Sequence, residues 1–214
     1  MSPLTIDGDS DGTAAPLIPE RPTLKKLHEA AAGCKACPLW ETGTQTVFGE
    51  GSPKADVVFV GEQPGDREDL EGRPFVGPAG KLFDQALEEA DIDRSRVYVT
   101  NVVKHFKWKP QGKRRIHQKP NWREIAACRP WLDAEVAVLK PRVLVCLGAT
   151  AAQALLGRDF RVSRQRGELV DSPLAEKTIG TVHPSSILRG DDRDRQFAEF
   201  VHDLQHVARL IQAS

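Results

Sequence analysis

Residues 55–61 read ADVVFVG, an apolar run closed by glycine with no polar alternation. A strand with one wet face alternates apolar and polar residues. A short continuous apolar run fits a strand covered on both faces, as in a parallel sheet. Working outward, AGKLFDQALEEA (79–90) sets Leu82, Phe83, Ala86, Leu87 and Ala90 on one helical stripe. RVYVTN (96–101), RVLVCLG (142–148) and TIGTVHPSS (178–186) read as three further strands. Helices are expected over residues 23–32, over 122–139, in the Ala-rich stretch after the third strand, and over the final segment. There Phe197, Phe200, Val201, Leu204, Val207, Ala208 and Ile211 keep the 3.6-residue period. A polar, hairpin-like stretch is expected at 161–170. Strands alternating with helices predict an α/β fold: a three-layer α/β/α sandwich around a four-stranded parallel sheet.

In such folds ligands bind outside the carboxyl ends of the strands. Those ends carry GEQPG (61–65), TNVVKHF (100–106), LGAT (147–150) and VHPSS (182–186), so Glu62, Gln63, Asn101 and His183 are expected to converge on one rim. Taken singly, each has a plain structural reading: an Asn ending a strand is commonly a turn former, and Phe75 a packing residue.

Lys and Arg number 30, as do Asp and Glu, so the chain has no global basic field and any anionic partner must be held by a local patch. One segment supplies it. Between Lys104 and Lys119 stand seven Lys or Arg and no acid, interleaved with Phe106 and Trp108. The segment lacks apolar periodicity and reads as a long loop, of the kind that is usually functional or disordered. It contains GKRRIH (112–117), a histidine amid cations. Lys113, Arg114 and Arg115 can hold phosphates, and they disfavour a second positive charge on His117, which favours a neutral, nucleophilic imidazole.

Cys34 and Cys37 form a C-x2-C pair, and 17 residues separate Cys128 from Cys146. Paired thiols in a reducing compartment more often bind metal than form disulfides. Four thiolates suit Zn²⁺ or a [4Fe–4S] cluster, and ligand count alone does not choose. Residues 1–20 carry no secretory pattern and no segment reaches the apolar length of a membrane span. The expectation is a cytoplasmic, monomeric protein with no membrane association: a disordered tail over 1–20 and one domain over 21–214.

GEQPG, GRPFVGPAGK (72–81), TNVVK (100–104), CRPWL (128–132), VCLGATAAQAL (145–155) and VHPSSILR (182–189), in this order, resemble the uracil-DNA glycosylase superfamily. The likeness spans residues 30–211 and is nearest the iron–sulfur branch called family 4. Two departures, the insertion ending in KRRIH and Gln63 where that branch usually has Ala, are features of UdgX-type proteins. In those, the histidine of KRRIH becomes covalently joined to DNA after uracil is removed. The resemblance implies a [4Fe–4S] cluster on Cys34, Cys37, Cys128 and Cys146, and uracil-containing DNA as partner; the aromatics and charge of the basic segment suit a single strand. It makes His117, Glu62 and His183 catalytic. It sets Gln63, Gly65, Phe75, Asn101 and Ser185 against the substrate, and Lys113, Arg114 and Arg115 against DNA.

Excision of uracil separates an oxocarbenium-like sugar from an anionic base. Donors aimed at the uracil oxygens act as oxyanion-hole donors do, a role for His183. The base leaves its stack to be read on an aromatic face, with Phe75 as platform and Asn101 as reader. Glu62 would place a water or, beside His117, accept the Nδ1 proton. The rivals are a glycosylase that turns over with the basic loop as a clamp, and a non-catalytic iron–sulfur DNA-binding module.

Overall fold

A computed structural model describes residues 12–212. The expected tail therefore lies in part outside the described residues, at 1–11. Residues 12–20 do not behave as a tail: Ala14 is fully buried, donates its amide to the Ala127 carbonyl at 2.8 Å and leads into a 3-10 turn at Ala15–Leu17. Among the described residues, packing is thus already present at Ala14, ahead of residue 21.

The elements follow the apolar runs closely. They are α1 (Leu24–Ala31), β1 (Glu50–Gly51), β2 (Val57–Gly61), α2 (Asp66–Glu71), α3 (Pro78–Glu89), β3 (Val97–Asn101), β4 (Trp108–Gln111) and β5 (Arg114–His117). Then come α4 (Trp122–Leu139), β6 (Val143–Leu147), α5 (Ala149–Leu156), α6 (Val162–Gln165), β7 (Leu169–Val170), β8 (Lys177–Thr181), α7 (Pro184–Arg189) and α8 (Arg193–Gln212). Capping fixes the ends of several helices. Asn121 and Glu124 form a reciprocal capping box at the start of α4, each side chain accepting from the other's amide.

The main sheet runs β1-β3-β2-β6-β8-β7. Its middle four strands are parallel, as expected. The two-residue edge strands β1 and β7 pair antiparallel and widen the expected four-stranded sheet to six. The middle strands are buried along their length except at Lys177, which is why they read as continuous apolar runs. One face packs Val58, Tyr98, Leu144 and Cys146 against Trp131 and Leu132 of α4. The other packs Phe59, Val99, Val145 and Ile179 against Phe83 of α3 and Phe200 of α8. The chain leaves β2 toward β3 on one side and β6 toward β8 on the other. The crevice above the β2 and β6 ends is thus a topological switch point.

The basic segment is not a loop. β4 and β5 form an antiparallel hairpin, with Trp108 opposite His117 and Gln111 opposite Arg114. Gly112 and Lys113 make its two-residue turn. Gly112 has φ of 58° and Lys113 has no positive φ, the pattern of a type II′ turn with Gly first.

Candidate active site

A cavity of about 690 Å³ opens at the switch point, and its lining includes Glu62, Gln63, Gly65, Phe75, Asn101, His117, His183 and Ser185. The sequence-selected rim residues are brought together. Register explains the floor: Gly61 lies beside Asn101, Leu147 beside Thr181, and Val60 beside Cys146, so four strands end at one level.

Asn101 is 2% exposed, and its Nδ2 has no hydrogen-bond partner among the described residues. A buried orphan donor is uncommon and calls for an explanation; a ligand carbonyl in the cavity supplies one. Gly61 makes room for this side chain, since a Cβ there would stand 2.3 Å from Asn101 Oδ1 and 3.3 Å from Phe75 Cζ. Phe75 stacks on His183 at 5.9 Å between ring centroids and 30° between planes. Its φ is 58°, a left-handed backbone unusual for a bulky residue. Glu68 joins this turn to its neighbour, accepting from the Gly65 amide at 2.9 Å and from the Phe75 amide. Burial raises the Glu68 pKa, and those two amides only partly counter it.

His183 caps α7. Its Nδ1 accepts the Ser185 amide at 3.1 Å and lies 2.8 Å from Ser185 Oγ. Burial pushes its pKa down to about 4, with Glu62 pulling the other way and Arg189 and His117 adding to the fall. At neutral pH the ring is uncharged. Because Nδ1 accepts, its single proton sits on Nε2, which makes Nε2 a donor.

Glu62 Oε1 is 3.1 Å from His117 Nε2, and Thr150 Oγ1 donates to Glu62 Oε2. Burial works against the Glu62 carboxylate, but bonds from His117 and Thr150 outweigh it and hold its pKa below the usual range. Glu62 is therefore ionised and accepts from His117 through Nε2, not through the Nδ1 expected from sequence. The charged group beside His117 is this carboxylate rather than the cations of KRRIH.

Those cations divide sharply. Lys113 and Arg114 are exposed at the hairpin tip. Arg115, expected on phosphate, instead donates to Asp66 Oδ1 at 2.5 Å, Asp69 Oδ2 at 2.6 Å and Thr44 Oγ1 at 3.1 Å. Its guanidinium also lies against the Phe106 and Trp108 rings at 5.4 and 5.5 Å. Arg115 is thus an anchor for the hairpin. Lys104 does not belong to the patch: it is 1% exposed and paired with Glu135, itself 0% exposed, at 2.5 Å. Lys107 pairs with Glu124 at 2.9 Å. Gln63 also clamps the hairpin, donating from Nε2 to the carbonyls of Lys107 at 3.1 Å and Gln118 at 3.0 Å. Its Oε1 accepts the Lys107 amide at 3.1 Å. That leaves little of Gln63 for substrate, the role expected of it.

Of the four cysteines, three come together. The Trp131 indole donates to Cys34 Sγ at 3.3 Å and the Lys104 amide to Cys128 Sγ at 3.3 Å. Burial pushes the Cys128 thiol up to about 12, Lys104 draws it down, and the Cys37 and Cys34 sulfurs add to the rise. Cys146 lies within β6 between Val60 and Gly180; burial raises its thiol pKa and Arg129 draws it down. Among the described residues no three Cys, His, Asp or Glu side chains stand at metal-ligand spacing. The donor set nevertheless fits a sulfur-bound centre at three positions, since amide and indole N–H groups aimed at sulfur are the contacts that tune thiolate ligands. His105 is 4% exposed and follows Lys104 directly. Its Nε2 is 3.0 Å from Thr46 Oγ1. Thr150, Glu68 and Arg189 line the cavity and were missed as site residues, although Thr150 lies in the LGAT rim motif.

A doubly covered parallel sheet with a cavity at its switch point, lined by Phe75 and the orphan amide of Asn101, defines the α/β class of the protein. Residues 48–205 match the Uracil DNA glycosylase superfamily, and the chain belongs to that family. It is 40% identical over 174 residues to a type-4 uracil-DNA glycosylase of Sulfurisphaera tokodaii, covering 78% of this chain and 76% of that protein. The type-4 enzyme of Thermotoga maritima is 42% identical over 164 residues, covering 76% and 82%. That of Archaeoglobus fulgidus is 36% identical over 195 residues, covering 88% and 93%.

Proposed function

We propose that the protein excises uracil from DNA and, as UdgX-type proteins do, keeps the abasic sugar on His117. The observation that carries the second half is that a residue of the inserted hairpin lines the same cavity as Asn101 and His183, with its imidazole 3.1 Å from Glu62. Uracil enters with its ring on Phe75 and a carbonyl on Asn101 Nδ2. As the bond from C1′ to the base nitrogen breaks, its electron pair leaves with uracil, and the His183 Nε2–H stabilises the resulting anion. The Glu62 carboxylate lies beside the cationic sugar. The His117 nitrogen turned away from Glu62 gives its lone pair to C1′, and the Nε2 proton passes to Glu62, leaving a neutral alkylated imidazole. An imidazole held in place has an effective molarity that can reach about 10⁵ M, against ~55 M for bulk water. The adduct carries no good leaving group and persists.

A denaturing gel with labelled uracil-containing oligonucleotide tests both halves. Wild type gives a band that stays shifted in SDS, with uracil released. His117→Ser loses that band and leaves free abasic DNA, because water reaches the vacated space. Free abasic DNA from wild type overturns capture, and intact uracil DNA overturns excision. A shifted band surviving in His117→Ser overturns the assignment of the nucleophile.

A [4Fe–4S] cluster fits beside this site, held by Cys34, Cys37 and Cys128, with His105 rather than Cys146 as fourth ligand. Cys146 is fixed in a central strand by ladders on both sides. Burial lowers the His105 pKa, against the pull of Asp69, so its imidazole is available as a neutral ligand. Such a cluster supplies a structural tie between the C-x2-C segment, the β3 end and α4. Cys146→Ser then keeps the iron content and the absorbance near 400 nm of the purified protein, while His105→Ala lowers both; the reverse pattern restores Cys146 as ligand.

A further inference from the structure

The hairpin accounts for one side of the cavity mouth. The segment between α5 and α6, and α6 itself, carry further exposed cations. Arg67, Arg73, Arg94, Arg96, Arg129 and Arg195 each have a carboxylate within ion-pair distance. Arg158 and Arg164 are exposed and have none among the described residues; one acid, Asp159, stands in the same stretch. The segment is shaped by Arg161, whose Nη1 donates to the Arg158 carbonyl at 2.8 Å and the Phe160 carbonyl at 3.2 Å. Phe160 is buried, which holds the segment down and turns the two free guanidinium groups outward.

Trp122, the first residue of α4, is 39% exposed. The Arg158 guanidinium lies over its ring at 4.8 Å. Both partners are tethered to the cavity. Gln118, four residues before Trp122, is bound by the cavity-lining Gln63. Val162, four residues after Arg158, lines the cavity itself. Four residues span at most about 14 Å, so this patch lies within a few nucleotides of whatever base occupies the pocket.

An exposed indole beside unpaired guanidinium groups is the chemistry that holds single-stranded nucleic acid, with bases stacking on the aromatic and phosphates on the cations. We infer that Trp122, Arg158 and Arg164 form a second contact for the DNA strand, outside the hairpin, in which Trp122 stacks an unpaired base and the two arginines bind backbone phosphate. The inference rests on the reading of the cavity as a DNA-uracil site. It gives the strand a second point of grip within a few nucleotides of the pocket.

The test uses the full chain and uracil-free single-stranded oligonucleotide, which binds without reacting, followed by fluorescence anisotropy across a salt series. Arg158→Ala/Arg164→Ala lowers the slope of log K against log salt by about 1.4, at about 0.7 per phosphate contact. Trp122→Ala weakens binding about tenfold, the loss of one stacked base, and Trp122→Phe restores most of it. Binding by both variants with wild-type slope and affinity, while wild type still excises uracil, overturns this surface alone. Wild type that neither binds single strands nor excises uracil overturns the reading beneath it. Circular dichroism confirms that the Trp122→Ala chain is folded, and equal loss in Trp122→Phe also counts against a stacking role.

Discussion

The cavity floor and the hairpin above it are built by different means. Asn101, Glu62 and His183 follow the ends of parallel strands whose ladders run from Val57 to Gly61, Val97 to Asn101 and Lys177 to Thr181. Moving one of them requires moving the sheet. The hairpin pairs with no strand of that sheet. It is held by side chains: Gln63 on the backbone at both of its ends, Arg115 on Asp66 and Asp69, and the Trp108 indole on the Thr42 carbonyl at 2.8 Å. Groups that must match a flat base sit on the rigid part. The group proposed to form a bond sits on an arm fixed at a few points. The division suggests that base recognition and capture are separable by substitution.

Breaking the floor has the largest effect. His183→Ala removes the proposed donor to the uracil anion and lowers the single-turnover rate of uracil release by a factor on the order of 100 or more, or about 3 kcal/mol. Capture falls with it, since the hairpin has nothing to trap. A variant that releases uracil at the wild-type rate breaks the comparison at its base.

The network beneath the floor gives an effect of similar size on stability. Lys104 Nζ donates to the Asn101 carbonyl at 2.9 Å and to Glu135, and Glu135 also accepts from Tyr98 at 2.8 Å and from the Gly49 amide at 3.2 Å. Lys104→Met leaves a carboxylate in the core without its cation and destabilises the fold by about 3 kcal/mol. Adding Glu135→Gln recovers much of the loss. Urea denaturation of the two variants measures it, and equal stability of single and double variants means that the pair is not coupled.

His183 also predicts a pH dependence. Its folded pKa, near 4, lies below the unfolded value of about 6.5. Between these values the unfolded chain binds the extra proton. The contribution to stability is therefore complete above pH 6.5 and falls away as pH drops toward 4. The urea midpoint declines over this window in wild type and declines less in His183→Asn; parallel curves for the two proteins rule the titration out.

Which parts were legible in sequence follows from the same division. The middle strands are covered on both faces, so VVFV and VLVCL announced themselves as apolar runs, and the rim residues followed from strand ends. β1 and β7 are two residues each and carry no period to detect. The hairpin strands WKPQ and RRIH cover no core, so nothing but Gly112 marked a turn. Lys104 looked like part of a basic patch because its partner, Glu135, stands 31 residues away. Arg115 was misread for the same reason, with Asp66 and Asp69 more than 45 residues off. Cysteine spacing could not reveal that Cys146 is fixed in a central strand by ladders on both sides.

The mildest change sharpens the comparison most. Gln63→Ala removes three hydrogen bonds that tie hairpin backbone to the β2 end and leaves Asn101 and His183 as they are. Each such bond is worth about 1 kcal/mol net, and the remaining anchors at Arg115 and Trp108 stay in place. The hairpin then spends part of its time displaced, and His117 meets C1′ less often. Uracil release should change by less than about threefold, while the shifted band forms roughly tenfold more slowly, the balance appearing as free abasic DNA. The ratio of trapped to free product in a rapid-quench time course reads this directly. An unchanged ratio means that the nucleophile's position does not depend on the clamp, and release slowed in step with trapping means that the hairpin and the floor act as one body.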